Sequence, residues 1–231
     1  MEKVNRMRRL MALASSVFLF AGLAAGPIGG LAQEHDRVCF KGDQDSGELR
    51  FSGAVEGSGF TGRFGSFEVH YCMPGGQPDN GDIRVTVDLS SADSDNRDRD
   101  QTLLDEEFFA VGQYPVAVWT SCRIEPAGDP QGSQQDGAEF IAQGRLELKG
   151  VAALQAVRFT LRVDGEDLRV SGGFVMQGES EIDRQRFRIG TGEFADPEFI
   201  RNRVDVAFEI ELSGPNAAMR RETTLKSTAY H

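Results

Sequence analysis

Apolar and polar residues alternate one for one along three stretches of this chain, and a period of two restricts those stretches to half-buried strands. In 82–90, Ile83, Val85, Val87 and Leu89 fall on one face and Arg84, Thr86 and Asp88 on the other. In 157–163, Val157, Phe159, Leu161 and Val163 oppose Arg158, Thr160 and Arg162. In 204–212, Val204, Val206, Phe208, Ile210 and Leu212 oppose Asp205, Ala207, Glu209 and Glu211. Successive side chains of a strand point to opposite faces, so each stretch has one dry and one wet face, as in antiparallel sheet with one side on a core. Weaker alternation predicts further strands at 48–55, 63–72, 116–124, 138–148, 168–177 and 182–189. Gly75-Gly76, Asn80-Gly81, Asp136-Gly137, Asp164-Gly165 and Gly172-Gly173 punctuate them as turns, the last doubling as a bulge signal. Eight or nine strands of this kind build either a two-sheet sandwich or a closed barrel. A barrel of about eight strands removes exposed edges and is wide enough for packed side chains or one small ligand.

One segment breaks the pattern. Residues 101–115, QTLLDEEFFAVGQYP, read as a single short helix that Pro115 stops, with Asp98 or Asp100 as its cap. Leu104 and Phe108 would share its dry face at i, i+4, and Asp105, Glu106 and Glu107 its wet face. One apolar helix in an all-β chain builds no helical layer, so it is expected to lid something the strands enclose. The chain carries 16 Phe against one Trp and three Tyr. Phe supplies apolar area with no polar group to satisfy. A Phe-rich interior fits a hydrophobic ligand or an ordinary packed core equally.

Residues 1–32 combine Lys3, Arg6, Arg8 and Arg9 with an apolar run from Leu10 to Ala25 and a small-residue site at Gly30-Leu31-Ala32. This is the pattern of a secretory signal peptide, its apolar run shorter than the roughly 20 residues that span a bilayer. The expected product is a soluble, periplasmic domain over 33–213 with a polar, disordered tail at 214–231. The whole chain has a formal net charge of −11, which argues against nucleic acid and against docking on anionic lipid. Cys39, Cys72 and Cys122 are too few for a disulfide scaffold and lack metal-finger spacing. Cys72 and Cys122 end strands separated by one intervening strand, roughly 9.5 Å apart, beyond usual disulfide reach. Cys39 with either partner remains open.

Five segments in order resemble the YceI-like family: Gly62-Arg63-Phe64 with Phe67; residues 83–91, IRVTVDLSS; Leu104-Asp105-Glu106-Glu107-Phe108-Phe109 followed by Tyr114-Pro115; Gly144 to Gly150, GRLELKG; and Phe187-Arg188-Ile189-Gly190. The ending Ile189-Gly190-Thr191-Gly192-Glu193-Phe194 is similar to the branch fused to cytochrome b561-type membrane domains. The resemblance implies an all-β, antiparallel, lipocalin-like barrel of about eight strands with one short helix near its mouth. It also implies an elongated apolar channel that sequesters or carries a polyisoprenoid such as a quinone tail, without catalysis. The alternatives are an interaction module for a membrane cytochrome partner and, less favoured, a small-molecule enzyme at the barrel mouth. The chain departs from the family in lacking a His after its first alternating strand, where Val55-Glu56 stands, and in carrying Cys72-Met73-Pro74 for Phe-Asp-Pro.

On this reading Phe51, Phe64, Phe67, Leu104, Phe108, Phe109, Trp119, Phe140, Phe159, Phe174 and Ile189 line the apolar cavity, and Arg63 and Arg188 are the candidates for contacting a ligand headgroup. Arg145, Arg158, Arg162, Arg184, Arg186 and Arg188 sit on or near predicted strands and read as outer barrel face, with Arg188 doubling as a headgroup candidate. No nucleophile elbow appears, and His35, His70 and His231 have no metal-binding spacing. The acidic run Asp93-Ser94-Asp95-Asn96-Arg97-Asp98 lacks the glycine and terminal glutamate of a calcium loop. No catalytic or metal-binding residue is expected.

Overall fold

The computed structural model describes residues 37–127, 137–163 and 172–215. The leader at 1–32, His35, the Asp164-Gly165 turn, most of the 126–137 loop and the tail from 216 to His231 lie outside the described residues. In chain order the elements are β1 (Arg37–Asp43), β2 (Gly47–Val55), β3 (Ser58–Phe64), β4 (Phe67–Pro74), β5 (Asp82–Asp88), β6 (Ala92–Asp93), α1 (Arg97–Leu104), β7 (Val116–Pro126), β8 (Ala138–Leu148), β9 (Val151–Arg162), β10 (Gly173–Asp183) and β11 (Arg203–Ser213).

All pairings are antiparallel, and the register shows how these segments make one closed barrel. β11 pairs with β1 through Lys41↔Ser213 and with β2 through Gly47↔Ile210. β4 pairs with β1 and β5, while β3 pairs with β2 and β6. So β1–β2, β3–β4 and β5–β6 are three long strands, each interrupted once, at 44–46, 65–66 and 89–91. With β7 to β11 they form an eight-strand up-and-down barrel whose last strand returns to its first. Side chains supply hydrogen bonds where the ladder is interrupted: Phe67 N–H donates to Gln44 Oε1 at 3.2 Å and Ser66 N–H to Ser91 Oγ at 3.0 Å. Lys149 (φ 49°) and Gly150 (φ 70°) make the two-residue turn between β8 and β9, whose left-handed backbone suits the twist of a tight hairpin.

Several boundaries differ from the sequence reading. The 63–72 strand is two segments, β3 and β4. The predicted 182–189 strand stops at Asp183, whose carboxylate accepts the Gln185 N–H and starts a 3-10 turn over Arg184–Phe187. β1 has no clear alternation in the sequence because its buried positions carry one large apolar residue, Phe40, beside Gly42. β1 carries Cys39 directly opposite Cys72 of β4, and the two form a disulfide. Cys122 is exposed and unpaired.

The largest correction concerns the helix. It runs from Arg97 to Leu104, not over 101–115, and neither Asp98 nor Asp100 is its cap. Asn96 Oδ1 accepts the Arg99 N–H at 3.0 Å, which starts the helix four residues early in a polar stretch. Asp98 and Asp100 occupy the first turn, where carboxylates favour the helix dipole. Residues 105–115 then form tight turns, with Phe108 N–H on Asp105 O and Ala110 at φ 52°. Leu104 and Phe108 therefore share no helical face, although Asp105, Glu106 and Glu107 are exposed.

Candidate functional site

The inward faces of the strands divide the barrel into two halves. At one end Phe40, Tyr71, Phe159 and Phe174 meet edge to face, with centroids 4.8 Å apart for Phe40–Phe174 and 6.3 Å for Tyr71–Phe159. Phe140 stacks on Phe159 at 5.4 Å. Tyr71 is wholly buried, its hydroxyl donates to Pro78 O at 2.8 Å, and burial, with Asp79 adding to it, holds the phenol well above its ordinary pKa. This half is filled. Toward the other end the inward side chains enclose a cavity of about 470 Å³. That volume lies within the roughly 300–1,000 Å³ of small-molecule pockets.

The cavity wall is largely hydrocarbon. Ile83, Val85 and Val87 of β5 face Val204, Val206 and Phe208 of β11 across it. Trp119 lies against β8 at Gly144, where an added Cβ would come within 2.4 Å of the indole. Its Nε1 donates to Gln155 O at 3.1 Å. Beside it the β9–β10 ladder stops at the Arg158↔Glu179 pair. Beyond that point Gln155 Nε2 donates to Ser180 Oγ and Glu181 O, each at 2.8 Å, and Ser180 Oγ donates to Ala156 O at 2.7 Å. The polar groups of Gln155 and Ser180 are thus spent on closing the wall, although both residues line the cavity.

Two excursions cover the mouth. One is residues 94–115, including α1; the other is 184–202. Gly190 N–H donates to Glu107 O at 2.8 Å and Phe108 packs on Phe194 at 5.2 Å, which joins them. Arg184, 2% exposed, holds the second excursion together. Its guanidinium donates to the carbonyls of Ile189 (2.8 Å), Gly190 (2.6 Å), Phe194 (2.8 Å), Ile200 (2.8 Å) and Arg201 (3.3 Å). Gly190 adopts φ 63°, and a Cβ there would fall 2.6 Å from Arg184 Nη1, so glycine is needed for both reasons. Burial lowers the Arg184 pKa from its ordinary value, with Asp183 opposing. Burial likewise lowers the ammonium of Lys149, which donates to Arg188 O at 2.8 Å, and Glu106 and Glu107 oppose that shift.

Of the eleven apolar residues named from the sequence, six border the cavity: Phe51, Phe64, Phe108, Phe109, Trp119 and Ile189. Phe67, Leu104, Phe140, Phe159 and Phe174 do not. Phe140, Phe159 and Phe174 fill the opposite half; Phe67 is buried beside the 65–66 interruption; and Leu103, one residue earlier on α1, takes the place expected of Leu104. The two headgroup candidates also lie elsewhere. Arg63 is exposed and paired with Asp93 at 3.0 Å, and Arg188 is exposed, its positive φ placing it at the end of the 3-10 turn. Arg99, Arg184 and Arg201 line the cavity instead. Arg184, read from the sequence as outer barrel face, is buried, because the chain leaves β10 at Asp183 and turns inward over Arg184–Phe187; nothing in the sequence marks Arg99 or Arg201, whose places are set by the path of two irregular excursions. Among the described residues no group of three or more His, Cys, Asp or Glu side chains converges on a metal-sized site, and no helix is long and apolar enough to cross a membrane.

A family model described as YceI-like domain matches residues 32–212. Protein YceI of Salmonella arizonae is 26% identical over 130 residues, 56% of this chain and 63% of that protein. A UPF0312 protein of Shewanella oneidensis is 26% identical over 107 residues, 46% of this chain and 52% of that protein. The chain thus spans little more than half the length of the curated relatives it matches. Among solved structures, BcnA of Burkholderia cenocepacia superposes with a TM-score of 0.64 at 22% identity, covering 74% of this chain and 98% of that one. A polyisoprenoid binding domain from Saccharophagus degradans, described as implicated in plant cell wall breakdown, superposes with a TM-score of 0.54 at 18% identity over 76% of this chain and 98% of that one.

Proposed function

The chain belongs to the YceI-like domain family, and from that premise we propose that it sequesters one long apolar molecule, a polyisoprenoid or quinone tail, in the hollow half of its barrel. The observation that carries this reading is the cavity, walled by hydrocarbon and by polar groups already committed to one another. Binding draws on the transfer of chain methylenes out of water, about 0.8 kcal/mol for each one buried, less the cost of ordering the chain. The mechanism is sequestration and involves no bond-making. The polyisoprenoid-binding description of the Saccharophagus domain supports the choice of ligand class. The basic and apolar pattern of residues 1–32 supports a periplasmic carrier.

The second reading makes the barrel an interaction module for a cytochrome b561-type membrane partner. It rests on residues 189–194, which resemble the fused branch and form part of the mouth. Co-purification from detergent-solubilised membranes tests it: recovery of a cytochrome with the wild-type protein supports it, and none over control resin removes it.

The experiment for the main reading is organic extraction of the purified full chain followed by mass spectrometry. The expected result is an isoprenoid-chain molecule approaching one per protein, or uptake of added isoprenoid to that ratio. A lipid-free protein that refuses added isoprenoids overturns it.

A further inference from the structure

One stretch of the cavity wall is closed without a backbone ladder. β9 runs from Val151 to Arg162, but its pairing with β10 ends at Arg158↔Glu179. β10 continues to Asp183 and stays paired with β11 throughout. Residues 151–157 stay paired with β8. The two strands therefore part toward the mouth and leave a seam, and Gln155, Val157, Ser180 and Ile182 border the cavity along it.

The β8–β9 hairpin fixes which groups face this seam. The two-residue turn at Lys149 and Gly150 makes Leu148↔Val151 a hydrogen-bonded pair, and bonded and non-bonded pairs alternate from it. The backbone groups of Val151, Ala153, Gln155 and Val157 thus point to β8, and those of Ala152, Leu154 and Ala156 point into the seam. Side chains bond here in place of a ladder. Ser180 Oγ donates to Ala156 O at 2.7 Å, and Arg186 Nη1 donates to Leu154 O at 3.0 Å. Gln155 Nε2 crosses in the other direction, to Ser180 Oγ and Glu181 O at 2.8 Å each. Side-chain bonds of this kind exchange for bonds to water at small net cost, and one rotation of Gln155 releases two of them.

The β9 lip of the seam is also apolar. Exposed strand edges are ordinarily guarded by charge, yet residues 151–157, VAALQAV, carry none. Leu154 is 63% exposed, the most exposed large apolar side chain among the described residues, while Val157 and Ile182 border the cavity inside. An apolar chain crossing here meets hydrocarbon before and after the Gln155–Ser180 pair. The mouth is fastened more firmly. Its two excursions are joined by the Gly190–Glu107 bond and the Phe108–Phe194 contact, and the Arg184 guanidinium ties the second through five backbone carbonyls.

We propose that the β9–β10 seam is a lateral portal, through which the apolar molecule enters and leaves when the Gln155 side chain turns aside, while the mouth stays covered. The inference rests on the apolar-binding reading and adds a route to it. A portal is a barrier crossed in both directions. Altering it changes the rates of binding and release by one factor and leaves Kd in place.

The test follows dibromostearyl alcohol by stopped-flow quenching of Trp119 in the full chain. Gln155→Ala should raise both rate constants about tenfold, the effect of removing two hydrogen bonds from the closed state. Ala156→Cys with Glu181→Cys, in a Cys122→Ser background, places two cysteines opposite one another where the Arg158↔Glu179 register would continue. Neither position lines the cavity. Once oxidised, the pair should slow both rate constants about tenfold or more with Kd unchanged. Reduction should restore them, with Cys122→Ser alone as the control for the reductant. If the two cysteines do not join, Gln155→Ala decides. Rates unmoved by the crosslink or by Gln155→Ala, or a rise in release alone, overturn the portal and leave apolar binding intact. No saturable quenching in the wild-type protein overturns apolar binding and the portal together.

Discussion

Along β11 the same face of the same strand carries Val204, Val206, Phe208, Ile210 and Leu212, and it passes from hollow to filled within that run. The first three are only half-buried although they point inward; Ile210 and Leu212 are 3% and 0% exposed. β10 repeats the change, from half-buried Ser180 and Ile182 to buried Met176 and Phe174. Strand period alone therefore does not say whether an inward residue meets a neighbour. What decides is the combined size of the side chains at one level of the barrel. The filled half brings Phe40, Tyr71, Phe140, Phe159 and Phe174 to nearly one level and crosslinks β1 to β4 through Cys39 and Cys72. The hollow half arranges branched aliphatic and aromatic residues around an open space and relies on two irregular excursions to cover it. One half is built for stability and the other for capacity.

The division can be broken most forcefully by truncation. Phe159→Ala is expected to cost about 3–5 kcal/mol in chemical denaturation, the range for losing a packed aromatic. Phe208→Ala should cost less than about 2 kcal/mol, because its ring is only half-buried and borders the cavity on one side. Equal losses would erase the distinction. Next in size is the disulfide, which closes a 33-residue separation. Replacing Cys39 and Cys72 by Ser should lower stability by roughly 3 kcal/mol and leave uptake of an apolar ligand unchanged, since the crosslink lies in the filled half. Loss of uptake at a temperature where the variant stays folded would show that the halves are coupled.

Filling the cavity sharpens the contrast from the other side. Val206→Phe should change stability by no more than about 1 kcal/mol, in either direction, while displacing ligand. A destabilisation of 1–3 kcal/mol, about that of overpacking a closed core, would argue that the space is not available to a side chain. The smallest effect concerns Tyr71. Its folded pKa lies above its ordinary value of 10.0, so the unfolded chain sheds the phenolic proton first. Its contribution is fully present below about pH 10 and is lost as pH rises further. The stability difference between wild type and Tyr71→Phe should therefore narrow, then favour the variant, in alkaline denaturation curves; parallel curves would remove Tyr71 from the alkaline loss.

The strands with strict alternation were legible because a period of two has one structural meaning: β5 and β11 lie where 82–90 and 204–212 placed them, and β9 includes most of 157–163 but starts at Val151. The helix does not follow the apolar residues of 101–115, because a polar cap at Asn96 and an acidic first turn start it earlier. The abundance of Phe left a packed core and a ligand cavity evenly weighted, and the molecule contains both, separated along the barrel axis. That separation depends on which residues share a level, a property of register between distant strands. Arg99 and Gln155 carried no signal, since an irregular excursion places Arg99 and the end of the β9–β10 ladder gives Gln155 its role, and Arg184 read as outer face because the inward turn after Asp183 leaves no mark in the periodicity.

The chain contains a single tryptophan, and it borders the cavity. Trp119 fluorescence therefore reports directly on whether an apolar chain enters the hollow half. Titration with a brominated long-chain amphiphile is expected to quench Trp119 saturably at one molecule per protein, with no such quenching in Val206→Phe. Unquenched emission with bound amphiphile, or equal quenching in both proteins, would contradict the account.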